Sequence, residues 1–268
     1  MTADTFRRKY GNGHSYTLDG QPKVKGVTTM MRGLKGPPET YFTETTAGYA
    51  VDNWERLSEL PPSERLKEIA GATKARFKAA GARGTAVHKL AEQLAAGKEV
   101  EVPDDIRGRV EACVQFLDDY QFQVDLIEPA LFSRKHKYAG SADFFGSAVV
   151  PGRSARVRVL GDWKTSASGP WGSMAFQLAG YRYADFYKLD GDDTEYPVPE
   201  VDECWIIWIR DDGYDVSPMH VDEHVLRQLL YIDQCRQADD QCRDYKLDTL
   251  PHPETVRKVR LQDIEETL

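Results

Sequence analysis

The chain is poor in the residues that build covalent or metal-held scaffolds. It carries four cysteines, Cys113, Cys204, Cys235 and Cys242, and no two stand in C-x-x-C spacing. Neither a zinc knuckle nor a dithiol redox motif is therefore written here. Cys204 lies in ECWIIWI, which reads as a buried strand and makes it a packed thiol. Asparagine occurs only at Asn12 and Asn53, a usage that speaks of the coding genome rather than of activity. No apolar run approaches the length of a membrane span, and the opening MTADTFRRKYGNGHSY has no apolar core. A cytoplasmic protein with no membrane partner is expected. There is no G-x-x-x-x-G-K-[ST] run and so no obvious motor, and no internal repeat is visible. Positive charge is also short: the formal net charge is −8. That argues against a protein that coats nucleic acid by neutralising many phosphates, although a local patch can outweigh the total.

What is present fits a soluble globular protein: 268 residues, 41% hydrophobic and 29% charged, enough to bury a sizeable core. We read residues 1–268 as one domain of α/β (α+β) class, with a core from about 81 to 210, an N-terminal hairpin and helices before it, and a helix and tail after it. Residues 14–31 read as a hairpin turning at Asp19-Gly20. A helix is expected from about Pro38 to Leu60, ended by Pro61 and Pro62. Two helices follow, 63–80 and 82–96, punctuated by Gly81 and Gly84. Between Glu64 and Lys89 seven basic residues face two acidic ones, a patch suited to phosphates unless it is simply a solvated face. Asp104 to Tyr120 is a further helix.

Residues 128–164 read as three short strands. Asp143 is placed just after the start of the second, and the third ends in Gly161-Asp162-Trp163-Lys164. Alternation puts Arg156, Arg158, Leu160, Asp162 and Lys164 on one face, and Val157, Val159, Gly161 and Trp163 on the other. The second face is fit for burial. Paired as a hairpin, these strands would bring Asp143 beside Asp162, two carboxylates with an ammonium nearby, as a divalent cation and a phosphodiester require. A small-residue loop, 166–172, leads to an amphipathic helix, MAFQLAGYRYADFYKL, in which Gln177 and Tyr181 stand one turn apart. An apolar strand from Glu203 to Ile209, a return strand from Gly213 to about His220, a helix from about Val221 to Tyr245 and a loosely held tail complete the chain.

In order, then, come G-x-x-x-H (Gly84 to His88), an acid after a glycine (Gly140 to Asp143), D-x-K (Asp162 to Lys164) and Q-x-x-x-Y (Gln177 to Tyr181). Each alone is weak. As an ordered set they resemble the RecB-like branch of the PD-(D/E)XK nucleases, over about Gly81 to Ile209, and the leading hairpin is similar to the start of phage-encoded members. The resemblance implies a restriction-endonuclease-like core, a mixed sheet in αβββαβ order. It implies that His88, Asp143, Asp162 and the Trp163 carbonyl hold the catalytic cation, that Lys164 orients or activates the attacking water, and that Gln177 and Tyr181 brace the site or touch DNA. Glu128 is a candidate for an acid behind the ligands.

Oxygen donors with one imidazole suit magnesium or, better, manganese, and no second histidine or thiolate lies at zinc-ligand spacing. Some RecB-like members hold an iron–sulfur cluster through one cysteine before the core and three after Q-x-x-x-Y. Here no cysteine precedes His88, and Cys235 and Cys242 are too far apart for a close ligand run, so no cluster is expected. The implied activity is hydrolysis of DNA at ends, single strands or forks, in recombination, repair or replication. Two other readings stay open: a DNA-binding module that does not cleave, and a subunit active only with a helicase or annealing partner.

Overall fold

The computed structural model describes residues 5–10, 13–34, 37–166 and 169–245. The strands are β1 (Phe6–Tyr10), β2 (Gly13–Leu18), β3 (Gln21–Gly26), β4 (Gln123–Ile127), β5 (Ala130–Ser133), β6 (Tyr138–Ser141), β7 (Phe144–Ala148), β8 (Val157–Lys164), β9 (Phe186–Lys188), β10 (Glu203–Arg210) and β11 (Gly213–Met219). The helices are α1 (Val27–Met30), α2 (Pro37–Asp52), α3 (Trp54–Ser58), α4 (Pro62–Ala95), α5 (Arg107–Asp119), α6 (Met174–Arg182) and α7 (Glu223–Gln241). Among the described residues no helix is long and apolar enough to cross a membrane.

The strands form two mixed sheets, one in the order β1-β2-β3-β6-β5-β9 and the other β11-β10-β8-β7-β4. The class read from the sequence is therefore what the chain adopts, but residues 128–164 hold more than three strands. Residues 123–148 form one long hairpin whose arms are shared: β4 pairs β7 antiparallel in one sheet, and β5 pairs β6 antiparallel in the other. The arms bend at matched points. Glu128, ahead of Pro129, has φ of 46°, a left-handed value that non-glycine residues rarely adopt, and its N–H donates to the Asp143 carbonyl at 2.9 Å. Asp143 thus lies between β6 and β7, where the chain passes from one sheet to the other, and not inside a strand as expected.

Beyond this bend β7 pairs antiparallel with β8. The chain then crosses through α6 and returns as β10, parallel to β8 with Ile206 opposite Asp162. Both faces of this sheet are covered. Val159, Trp163 and Ile207 pack under Val87 and Ala91 of α4 and Phe116 of α5. Phe145, Leu160 and Ile206 pack under Leu178 of α6 and Leu229 of α7. The face of β8 expected to be polar is consequently exposed only near its start, at Arg158, while Asp162 and Lys164 on the same face are buried or half-buried. Asp162 is 1% exposed. Gly161 is required here, because a Cβ would lie 2.0 Å from the Phe144 ring, which is itself packed against Trp163.

Several helix ends differ from expectation. The helix expected over 38–60 is interrupted at Asn53 between α2 and α3. Gly81 and Gly84 do not divide α4, which runs unbroken for 34 residues, since a helical glycine costs only about 1 kcal/mol. The helix expected to reach Leu189 stops at Arg182. Residues 186–188 instead pair with β5, where Phe186 stacks on Phe132. The Asp19-Gly20 turn joins β2 to β3 as read, but β1 adds a third strand and Val27–Met30 is a helical turn. The final helix begins at Glu223, capped by the Asp222 carboxylate, which accepts from the Val225 N–H at 2.9 Å. The tail, 246–268, lies outside the described residues, as do residues 167–168 of the expected loop.

Candidate active site

Three elements converge on the bend of the long hairpin. The last turns of α4 bring His88, the bend supplies Asp143, and the end of β8 supplies Asp162 and Lys164. The Asp143 carboxylate accepts the Trp163 N–H at 2.7 Å, a bond made across the strand pair that locks its orientation. His88 Nδ1 stands 3.5 Å from the same oxygen. From the other side of β8, α6 delivers Gln177, whose side-chain amide donates to Asp162 Oδ1 and to the Tyr181 hydroxyl, each at 3.0 Å, and whose carbonyl oxygen accepts from Lys164 at 3.3 Å. The Tyr181 ring covers Gly140, where a Cβ would come within 2.6 Å of it.

The second Asp162 oxygen is buried and accepts no hydrogen bond. The Lys164 ammonium stands against it as a charge contact. That ammonium is the partner of the buried oxygen, whose burial would be costly without it.

The site's electrostatics follow from burial. The Asp143 carboxyl is held well above its ordinary value, first by desolvation and then by the charge of Asp162. His88 is pulled down to about 4, chiefly by burial, with Asp162 acting in the opposite direction. Its imidazole is therefore neutral near pH 7, the form that can ligate a cation. Burial also pulls on Lys164, but the charges of Asp162 and Asp143 outweigh it and its pKa is raised, so it stays an ammonium. Tyr181 is held far above its usual range by burial and then by Asp162, and remains a neutral phenol.

Among the described residues no three histidine, cysteine or acidic side chains stand as a ready-formed cation cage. The two aspartates are turned towards protein donors. Even so the donor set fits a hard divalent cation: carboxylate oxygens and one neutral imidazole, with the two acids close enough that the charge of Asp162 adds to burial in raising Asp143. No protein-family model matches the chain, and no curated protein matches it.

All six side chains singled out in the motifs thus meet at one place, and Trp163 contributes its backbone while its side chain packs into the core. Sequence reasoning missed two features. Glu92, one helical turn past His88, is pushed up to about 7 by burial and by the charge of Glu128; its i+4 spacing from the histidine was a legible signal. Behind the bend, Arg7 donates to the Glu128 carbonyl at 2.7 Å and to the Ser141 hydroxyl and pairs with Asp190 at 2.8 Å, so it clamps both arms. The Glu128 carboxylate pairs with Lys9 at 2.7 Å. No sequence pattern foretold that partnership.

Proposed function

We propose that the chain is a cation-dependent deoxyribonuclease of the RecB-like PD-(D/E)XK kind, working in the cytoplasm of a bacterium or phage-infected cell. The observation that carries this reading is the meeting of Asp143, from the bend before β7, and Asp162, from the β8 strand paired with β7, with the Lys164 ammonium and the His88 imidazole beside them. The succession α4, β4, β7, β8, α6, β10, with β8 and β10 parallel, supports the αβββαβ order that such a core would have.

Asp143, Asp162, His88 and the Trp163 carbonyl would hold magnesium or manganese. When bound, such an ion would supply a lowered pKa for a coordinated water and a positive charge against the phosphoryl oxygen. Lys164 supplies a fixed positive charge at the reacting phosphate and, through its lone cationic head, a donor that orients the attacking water. Gln177 keeps Asp162 and Lys164 at their relative positions, and Tyr181 fixes Gln177 in turn. Nothing in this set addresses a base edge, so the backbone is what it acts on.

The stretch of α4 from Lys74 to Arg83 is exposed on every side for which a side chain is described. Lys74, Arg76 and Lys78 are thus available to phosphates. Charge reversal at the three should weaken DNA binding and flatten its salt dependence. The decisive experiment is digestion of end-labelled single-stranded, blunt, tailed and forked DNA in manganese. Turnover that persists in Asp162→Ala or Lys164→Ala overturns the reading.

A further inference from the structure

A cleft of about 1030 Å³ is lined by Phe6, Arg8, Tyr16 and Lys23 of the N-terminal ribbon together with Glu128, Asp143 and Tyr181. This volume is at the upper end for small-molecule sites, and the cleft is walled mainly by β1–β3 rather than by the sheet that carries Asp162. Two cations are presented to it. Alternation along β1 sends Arg7 and Lys9 towards Glu128 and Asp190, and Phe6 and Arg8 the other way. The Arg8 guanidinium lies 5.6 Å from the centre of the Phe6 ring. Lys23 is the extra residue of a bulge: Tyr16 faces Val24, Thr17 faces Pro22, and Lys23, with φ of 58°, faces neither. A bulge of this kind re-aims one side chain, and this one turns a lysine outward to solvent. Arg8 and Lys23 have no carboxylate partner among the described residues. Lys25 and Arg7, by contrast, are taken by Asp233 and Asp190.

We infer that the cleft is the path along which an unpaired DNA strand reaches Asp143, with Arg8 and Lys23 on its phosphates and Phe6 against a base. An exposed aromatic face beside cations suits bases free of a duplex, because every unpaired base offers a π-face and a paired one hides it. The inference rests on the nuclease reading for what happens at Asp143, but the binding itself does not.

The test is fluorescence anisotropy with labelled oligo-dT and a duplex of equal length, in EDTA, across a salt series. In Arg8→Ala/Lys23→Ala the oligo-dT affinity is expected to fall about tenfold. The slope of log affinity against log salt should shrink by about 1.4, from about 0.7 per phosphate contact on a single strand. Phe6→Ala should weaken oligo-dT binding with the slope retained. Both substituted cations are exposed, and circular dichroism checks that the fold is kept. An unchanged slope in the double variant overturns the inference. So does an equal loss from Lys98→Ala/Arg227→Ala, which removes the same charge elsewhere, or wild-type binding to duplex as tight as to oligo-dT. Wild-type protein that binds in this pattern yet cuts nothing in manganese counts against the nuclease reading alone.

Discussion

The two sheets are built to different standards. In the five-stranded sheet the central strands β8 and β10 are each eight residues long, and helices cover both faces. In the six-stranded sheet the strands have three to six residues, and among the described residues the β1–β3 ribbon pairs with the rest of the sheet at Lys25 with Tyr138 and Gly26 with Ala139. The groups that the proposed reaction would need held to sub-ångström geometry, Asp162 and Lys164, come from the first sheet. Those that, on the inferred path, would need only to offer charge to a flexible polymer, Arg8 and Lys23, come from the second. Rigidity is thus concentrated where a reaction would take place.

The sharpest way to break the comparison is Asp162→Asn. It preserves shape but removes the charge that faces Lys164, and about a thousandfold loss of turnover on labelled DNA is expected, with a cooperative unfolding transition retained. Next is Gly161→Ala, which forces a methyl into the Phe144 ring. Such overpacking should lower stability by about 3 kcal/mol, read as a fall in the denaturant midpoint. An equivalent change in the open ribbon, Gly20→Ala, meets no atom within 4 Å and is strained only by its φ of 77°, so it should cost about 1 kcal/mol.

The link between ribbon and body gives a pH test. Asp233 of α7 is buried, which raises its pKa, but bonds from Lys25 and Arg236 outweigh this and the net shift is downward. A carboxyl depressed in the folded state adds stability that is present above its unfolded pKa and is lost as pH falls through the folded value. Wild-type melting temperature should therefore drop below about pH 4, and Asp233→Asn should be less stable than wild type at pH 7 by about 2 kcal/mol, with a flatter acid limb. The smallest effect is expected from Tyr181→Phe. Gln177 loses one acceptor while keeping Asp162, and a few-fold fall in turnover at unchanged stability is what steady-state kinetics and a thermal melt should show, about 1 kcal/mol in all.

What could be read in advance was local. Asp19-Gly20 announces its turn by backbone preference, D-x-K and Q-x-x-x-Y announce a strand end and a helix face by spacing, and the structure brings those side chains together. What could not be read was set by contacts distant in the chain. The bend at Glu128 and Asp143 exists because each arm is shared between the two sheets, and no propensity in EPALFS or SADFFG encodes a second sheet. Phe186 leaves its helix for Phe132, some fifty positions earlier. Gly81 and Gly84 read as stops in isolation, yet α4 continues because Val87 and Ala91 bury against the sheet. The covering of Asp162 escaped for the same reason: alternation assigns a residue to a face but says nothing of what will be laid over it.

One consequence follows for how such a chain can drift in length. A one-residue slip along either arm, 123–133 or 138–148, would turn inward positions outward, and β4 already carries Asp125 as an extra residue against β7, so those arms tolerate replacement better than insertion. The exposed connection at 151–155, between β7 and β8, carries no such double bookkeeping. Growth by addition belongs there, where the polymer can lengthen without rotating a single carboxylate out of line.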